Sequence, residues 1–102
     1  MPVVCRHRSS GVIAAASLRN QYDLMYYGAV WWENIEEAEA AAAERLKELG
    51  FRYPEDWDLI ETTEQRLKIM NVKLNNDSKR MLVMENDGSI HIRNTSEWSD
   101  GR

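Results

Sequence analysis

Apolar residues recur along this chain in distinct rhythms, and each rhythm predicts an element. Between residues 34 and 50, Ile35, Ala38, Ala42, Leu46 and Leu49 return every three or four positions and line one side of a helix. Asn34 suits the cap, Glu37 stands at capping-box distance, and Glu36 and Glu37 place negative charge where the helix dipole favours it. Gly50 supplies a left-handed stop, and Phe51 is placed to fold back onto Leu46. The pattern predicts a principal helix over 35–49 whose alanine-rich stripe lies close against what it covers. Residues 22–32 read differently: Tyr22, Leu24, Tyr26, Val30 and Trp32 share one side of a strand, and Met25, Tyr27, Ala29 and Trp31 the other. Apolar residues on both sides mark either a central strand or one whose outer side serves contact. Gly28 within it signals a bulge or a close backbone approach. Residues 80–93 flank Asn86-Asp87-Gly88 and predict a C-terminal β-hairpin.

Weaker patterns fill the gaps. Residues 3–8 suit a short strand, and the Ala14-Ala15-Ala16 run tilts 9–19 towards a helix, although Val12 and Ile13 serve either state. Pro54 is placed to open a short helical segment in the turn at 52–57. Thr62 and Gln65 have capping-box spacing ahead of Leu67, Met70 and Leu74, while Ile69 and Val72 keep a strand reading of 66–74 open. Asn75-Asn76-Asp77-Ser78 reads as a loop, and the tail from Asn94 is polar except for Trp98, which either docks or frays. The fold class expected is α+β: a small antiparallel sheet, helix 35–49 packed on one face, and the hairpin 80–93.

The run Met25-Tyr26-Tyr27-Gly28-Ala29-Val30, then Asn34-Ile35-Glu36-Glu37-Ala38-Glu39, closing on Leu46-Lys47-Glu48-Leu49-Gly50-Phe51, resembles the βα half of ferredoxin-like domains, peptidoglycan-binding SPOR domains among them. The resemblance implies an α+β architecture and nothing about function.

At 102 residues, with 43% hydrophobic and 29% charged residues, the chain is expected to form one folded domain without repeats or linkers. No apolar run approaches the roughly 18 residues of a membrane span. The first 20 residues hold Arg6, Arg8 and Arg19, several serines and no acid, a composition shared with organellar presequences; the preferred reading assigns them to the domain. The single cysteine, Cys5, excludes an internal disulfide framework and fits a reducing, cytoplasmic compartment.

Charge adds more. The net value is −4, but residues 33–64 hold eleven acids against three bases, while the flanks are mildly positive. Catalytic candidates are few. Cys5 and His7 would point the same way on a strand, and His91 is the third residue of metal-ligating type, yet paired ligand spacing is absent and the preferred reading is a strand cysteine beside a surface histidine. Ser89, His91 and Arg93 share a face without a buried acid to orient the ring, so they form no triad. The glycines form no phosphate loop. No cofactor, metal or catalytic residue is therefore expected.

What is left is binding. The sequence reads as a small non-enzymatic protein that docks an acidic face onto a basic, nucleic-acid-handling protein surface, in the manner of a phage or mobile-element inhibitor of the anti-CRISPR kind. The candidate contact residues are Glu36, Glu37, Glu44, Glu48, Glu55, Asp56, Trp57 and Asp58, with the charges steering and Trp57 as anchor. The alternative is a nucleic-acid-binding module using Arg6, Arg8, Arg19, Arg66, Lys68, Lys73, Lys79, Arg80 and Arg93, which the acidic segment would oppose. A homodimer through the aromatic strand is compatible with either.

Overall fold

The computed structural model describes residues 1–98. Its organising strand is β1, Val3–His7, in which Val3, Val4 and Cys5 are wholly buried. A strand so apolar on both faces needs cover on both, and it also needs partners on both edges. One edge is taken along its whole length by β6, Trp57–Glu61, in a register running from Val3↔Glu61 to His7↔Trp57. The other edge is shared: β2, Val12–Ile13, pairs at Arg6↔Ile13, and β5, Trp31–Trp32, pairs at Val3↔Trp32 and Val4↔Trp31. The sheet continues through β7, Arg80–Met84, to β8, Ile90–Asn94, the hairpin expected around Asn86-Asp87-Gly88. All registered pairings are antiparallel.

Residues 12–32 are one long bent hairpin. Beyond Ala14 and Val30, where the Val30 N–H donates to the Ala14 carbonyl at 2.9 Å, it leaves the main sheet as an arm of β3, Ala15–Arg19, and β4, Met25–Ala29. The alanine run therefore forms strand, not helix. Ala14 and Ala16 pack on one face and Ala15 on the other, so the run alternates between two cores and its small side chains let both covering layers approach. The strand expected over 22–32 starts only at Met25 and is interrupted at Val30.

Helix α1, Ile35–Glu48, forms as its sequence predicts. Asn34 Oδ1 accepts from the Glu37 N–H at 2.9 Å, and Gly50 at φ +88° allows the Phe51 N–H to reach the Leu46 carbonyl at 2.9 Å, a Schellman closure. Helix α2, Glu64–Leu74, is also present, but its cap is Thr63, whose Oγ1 accepts from the Arg66 N–H at 3.1 Å. Thr62, expected as the cap, is buried instead.

The helices cover opposite faces of the sheet. Ala42 and Leu46 of α1 pack with Cys5, Val12, Met81 and Val83, whereas Leu67, Met70 and Leu74 of α2 pack with Val4, Ile13, Leu82 and Met84. The fold is α+β, with α1 on one face as expected and a second helical layer behind. Strands β5 and β6 flank β1 and both run antiparallel to it, so β5–α1–β6 is a split βαβ unit; α2, however, lies on the opposite face of the sheet, and the resemblance to ferredoxin-like domains stops at that unit.

The arm's outer edge is closed by α2. Asn71 Oδ1 accepts from the Ala29 N–H at 3.0 Å, and Asn76 Oδ1 from the Tyr27 N–H at 2.7 Å, so amides replace the strand that β4 lacks.

Candidate functional site

The eight residues expected to contact a partner are not one patch. Glu37, Glu44 and Glu48 lie seven and four residues apart, which stacks them along one outward ridge of α1, with Glu36 exposed beside it. Glu55 and Asp56 join this side through the short 3₁₀ turn Pro54–Asp56, which packs against α1.

Two residues leave the set. Trp57 is only 7% exposed, and its ring sits edge-on to His7, Phe51 and Trp98 at centroid distances of 5.2, 5.1 and 5.9 Å. It is a core residue, not a surface anchor, because β6 turns it towards the α1 side of the sheet. Alternation then sends Asp58 to the opposite side with Ile60, where its carboxylate pairs with Arg8 at 3.0 Å. That carboxylate's hydrogen bond and charge raise the already high pKa of the Arg8 guanidinium.

The remaining acids have little internal compensation. Glu48 pairs with Arg45 at 3.3 Å, an exposed contact of small energy, while Glu36, Glu37 and Glu44 have no ion pair among the described residues. The two outer layers differ in sign: α1 carries five acids against two bases, and α2 one acid against three bases. A segregation that the sequence shows along the chain becomes, in the fold, a separation across the sheet.

The residues of metal-ligating type fare differently from expectation. Cys5 and His7 do share a face, but His7 is buried rather than superficial, its Nδ1 2.8 Å from Ser10 Oγ and its ring between Trp57 and Trp98. His91 stands elsewhere, 3.4 Å from Glu85, and Arg93 pairs with Glu97. Among the described residues no group of three such side chains is placed to hold a metal. Trp98 docks onto the aromatic cluster instead of fraying; the tail beyond it lies outside the described residues.

Comparison with known family models, with curated proteins and with solved structures finds no match to this chain. Among the described residues no helix is long and apolar enough to cross a membrane. Function must therefore be argued from surfaces.

Burial also fixes the chemistry of Cys5. Removal from water pushes its thiol up to about 12. In the unfolded chain the thiol ionises near about 8.5, so the native state holds its proton to higher pH. Stability tied to that proton is fully present below pH 8 and is lost as pH rises from about 9 towards 12, by at most about 1.4 kcal/mol per pH unit. Urea midpoints at pH 8 and pH 10.5 are expected to fall further for the parent than for Cys5→Ala. In native buffer the thiol is expected to resist an aromatic disulfide reagent, and labelling at the rate of free cysteine would overturn this assignment.

One feature had no signal in the sequence. A cleft of about 440 Å³ opens between the arm, β5 and α1, and its lining brings Arg19 and Arg45 together with Trp31 and Trp32. These residues come from segments up to 26 positions apart, and no local pattern links them.

Proposed function

We propose that the protein is a non-enzymatic docking module whose α1 face binds a basic protein surface. The observation that carries this reading is the ridge of Glu37, Glu44 and Glu48, in which only Glu48 has an ion-pair partner among the described residues, flanked by Glu36, Glu55 and Asp56, on the layer opposite the basic helix α2. Like charges gathered on a rigid helix raise the local field, speed encounter with a basic partner and reject acidic ones. Where the partner's basic surface is one that holds nucleic acid, occupation by this protein excludes the nucleic acid, as an inhibitor of a nucleic-acid-handling complex does.

The test is charge reversal of Glu36, Glu37, Glu44 and Glu48 to lysine. With an immobilised arginine-rich peptide as probe, association is expected to slow by about tenfold or more at low salt, and the parent's rate to fall steeply with ionic strength. An unchanged circular dichroism spectrum establishes that the fold survives. Equal association rates for parent and variant would sink the acidic face.

The basic layer supports a second reading, phosphate binding through Arg66, Lys68 and Lys73 of α2. Filter binding of duplex DNA across salt concentrations separates the two, because phosphate contacts give a steep inverse salt slope.

A further inference from the structure

The cleft between the arm and α1 brings aromatic surface together with two arginines. Its lining mixes polar groups with apolar and aromatic ones, Leu18, Tyr26 and Trp32 among them, and its charged groups among the described residues are Arg19 and Arg45. In a chain of net charge −4, no acidic side chain lines it among the described residues. Its 440 Å³ falls within the range of about 300–1,000 Å³ typical of small-ligand sites. Trp32, on the α1 side of β5, packs against the core there but is only partly buried.

Both arginines are held only lightly. Arg19 donates to the Asp23 carboxylate at 3.0 Å and to the Asp23 carbonyl at 3.1 Å, Arg45 pairs with Glu48 at 3.3 Å, and all four side chains are substantially exposed. Exposed pairs of this kind contribute at most about 1 kcal/mol, so either guanidinium is free to turn towards a better anion. An anion set against an apolar wall is that better partner, because the contact is charge-assisted and partly shielded from water.

We propose that this cleft binds a small amphipathic anion, with an aromatic body against Trp32 and Tyr26 and one carboxylate, sulfonate or phosphate on Arg45 and Arg19. The site adjoins the acidic ridge through the Arg45–Glu48 pair, but its occupation does not depend on that ridge binding a protein.

The probe is 8-anilinonaphthalene-1-sulfonate, titrated by fluorescence into the full chain. One dye per chain is expected. Arg45→Gln is expected to raise its Kd about tenfold, the worth of a charge-assisted hydrogen bond. Glu48→Gln, which removes the competing internal partner, is expected to lower Kd a few-fold. The uncharged analogue N-phenyl-1-naphthylamine is expected to bind at least about tenfold more weakly, because it forgoes the same contact. Identical dye affinity in the parent and Arg45→Gln, with both folded by circular dichroism, would overturn the proposal. So would equal binding of the uncharged analogue, or sedimentation showing a dimer that Trp32→Ala dissociates, since a second copy would then fill the cleft.

Discussion

Replacing Trp57 with alanine is expected to cost about 3–5 kcal/mol of unfolding free energy, measured by urea denaturation. The side chain is almost fully buried, and its ring is the hub of an aromatic cluster with His7, Phe51 and Trp98. Deleting it removes apolar area and leaves a cavity whose walls belong to β1, to the segment after α1 and to the C-terminal turn, which cannot collapse together. The loss is a large share of the roughly 5–15 kcal/mol that holds a domain of this kind. Trp57→Phe is expected to cost less, since it keeps an aromatic edge and removes an Nε1–H without a hydrogen-bond partner among the described residues. It is also expected to leave binding of the arginine-rich peptide unchanged, because the ring never reaches the surface. A cost below about 1 kcal/mol for the alanine variant would contradict the packed cluster.

Gly28→Ala is expected to destabilise by about 2–4 kcal/mol, the sum of a tight fit and a lost amide partner. In most strands the same change helps, because alanine restricts the unfolded chain. Here an added Cβ would lie 2.6 Å from the Tyr26 ring and 2.9 Å from Asn71 Oδ1. The tyrosine is half-buried and able to move; the amide is not, because it accepts the Ala29 N–H at 3.0 Å. Pushing Asn71 away leaves that N–H inside the protein without a partner. A double-mutant cycle decides the mechanism. In an Asn71→Ala background, Gly28→Ala should lose much of its cost, whereas additive effects would mean that the glycine serves something other than the amide's approach.

Gly28 is also a measure of what was legible beforehand. A glycine among aromatic and branched residues signalled a close backbone approach, and the approach is there; that the neighbour is an asparagine 43 positions later was not readable. Helix α1 was readable at both ends because Asn34, Gly50 and the apolar stripe all act locally, although the return bond of a capping box from Glu37 to Asn34 is not formed. Residues 9–19 were misread because the alanines report intrinsic preference, while their strand conformation is imposed by β1, β4 and β7, none of which the run can announce. Trp57 was misplaced for a related reason. Its acidic neighbours suggested a surface, but alternation along β6 separates adjacent residues onto opposite sides of the sheet. The position of α2 behind the sheet, and hence the separation of acidic and basic layers, follows from topology alone.

The N-terminal strand carries a consequence for how the molecule assembles. β1 is made before any of its partners: one edge waits for the hairpin at 12–32 and the other for residues 57–61. Closing such distant pairings is slow, in the range of milliseconds to seconds for sheets dominated by them. Until residues 57–61 have been made, Val3, Val4 and Cys5 have no complete shelter. Nascent chains halted before Trp57 should therefore be ready clients for chaperones, while the finished domain should not.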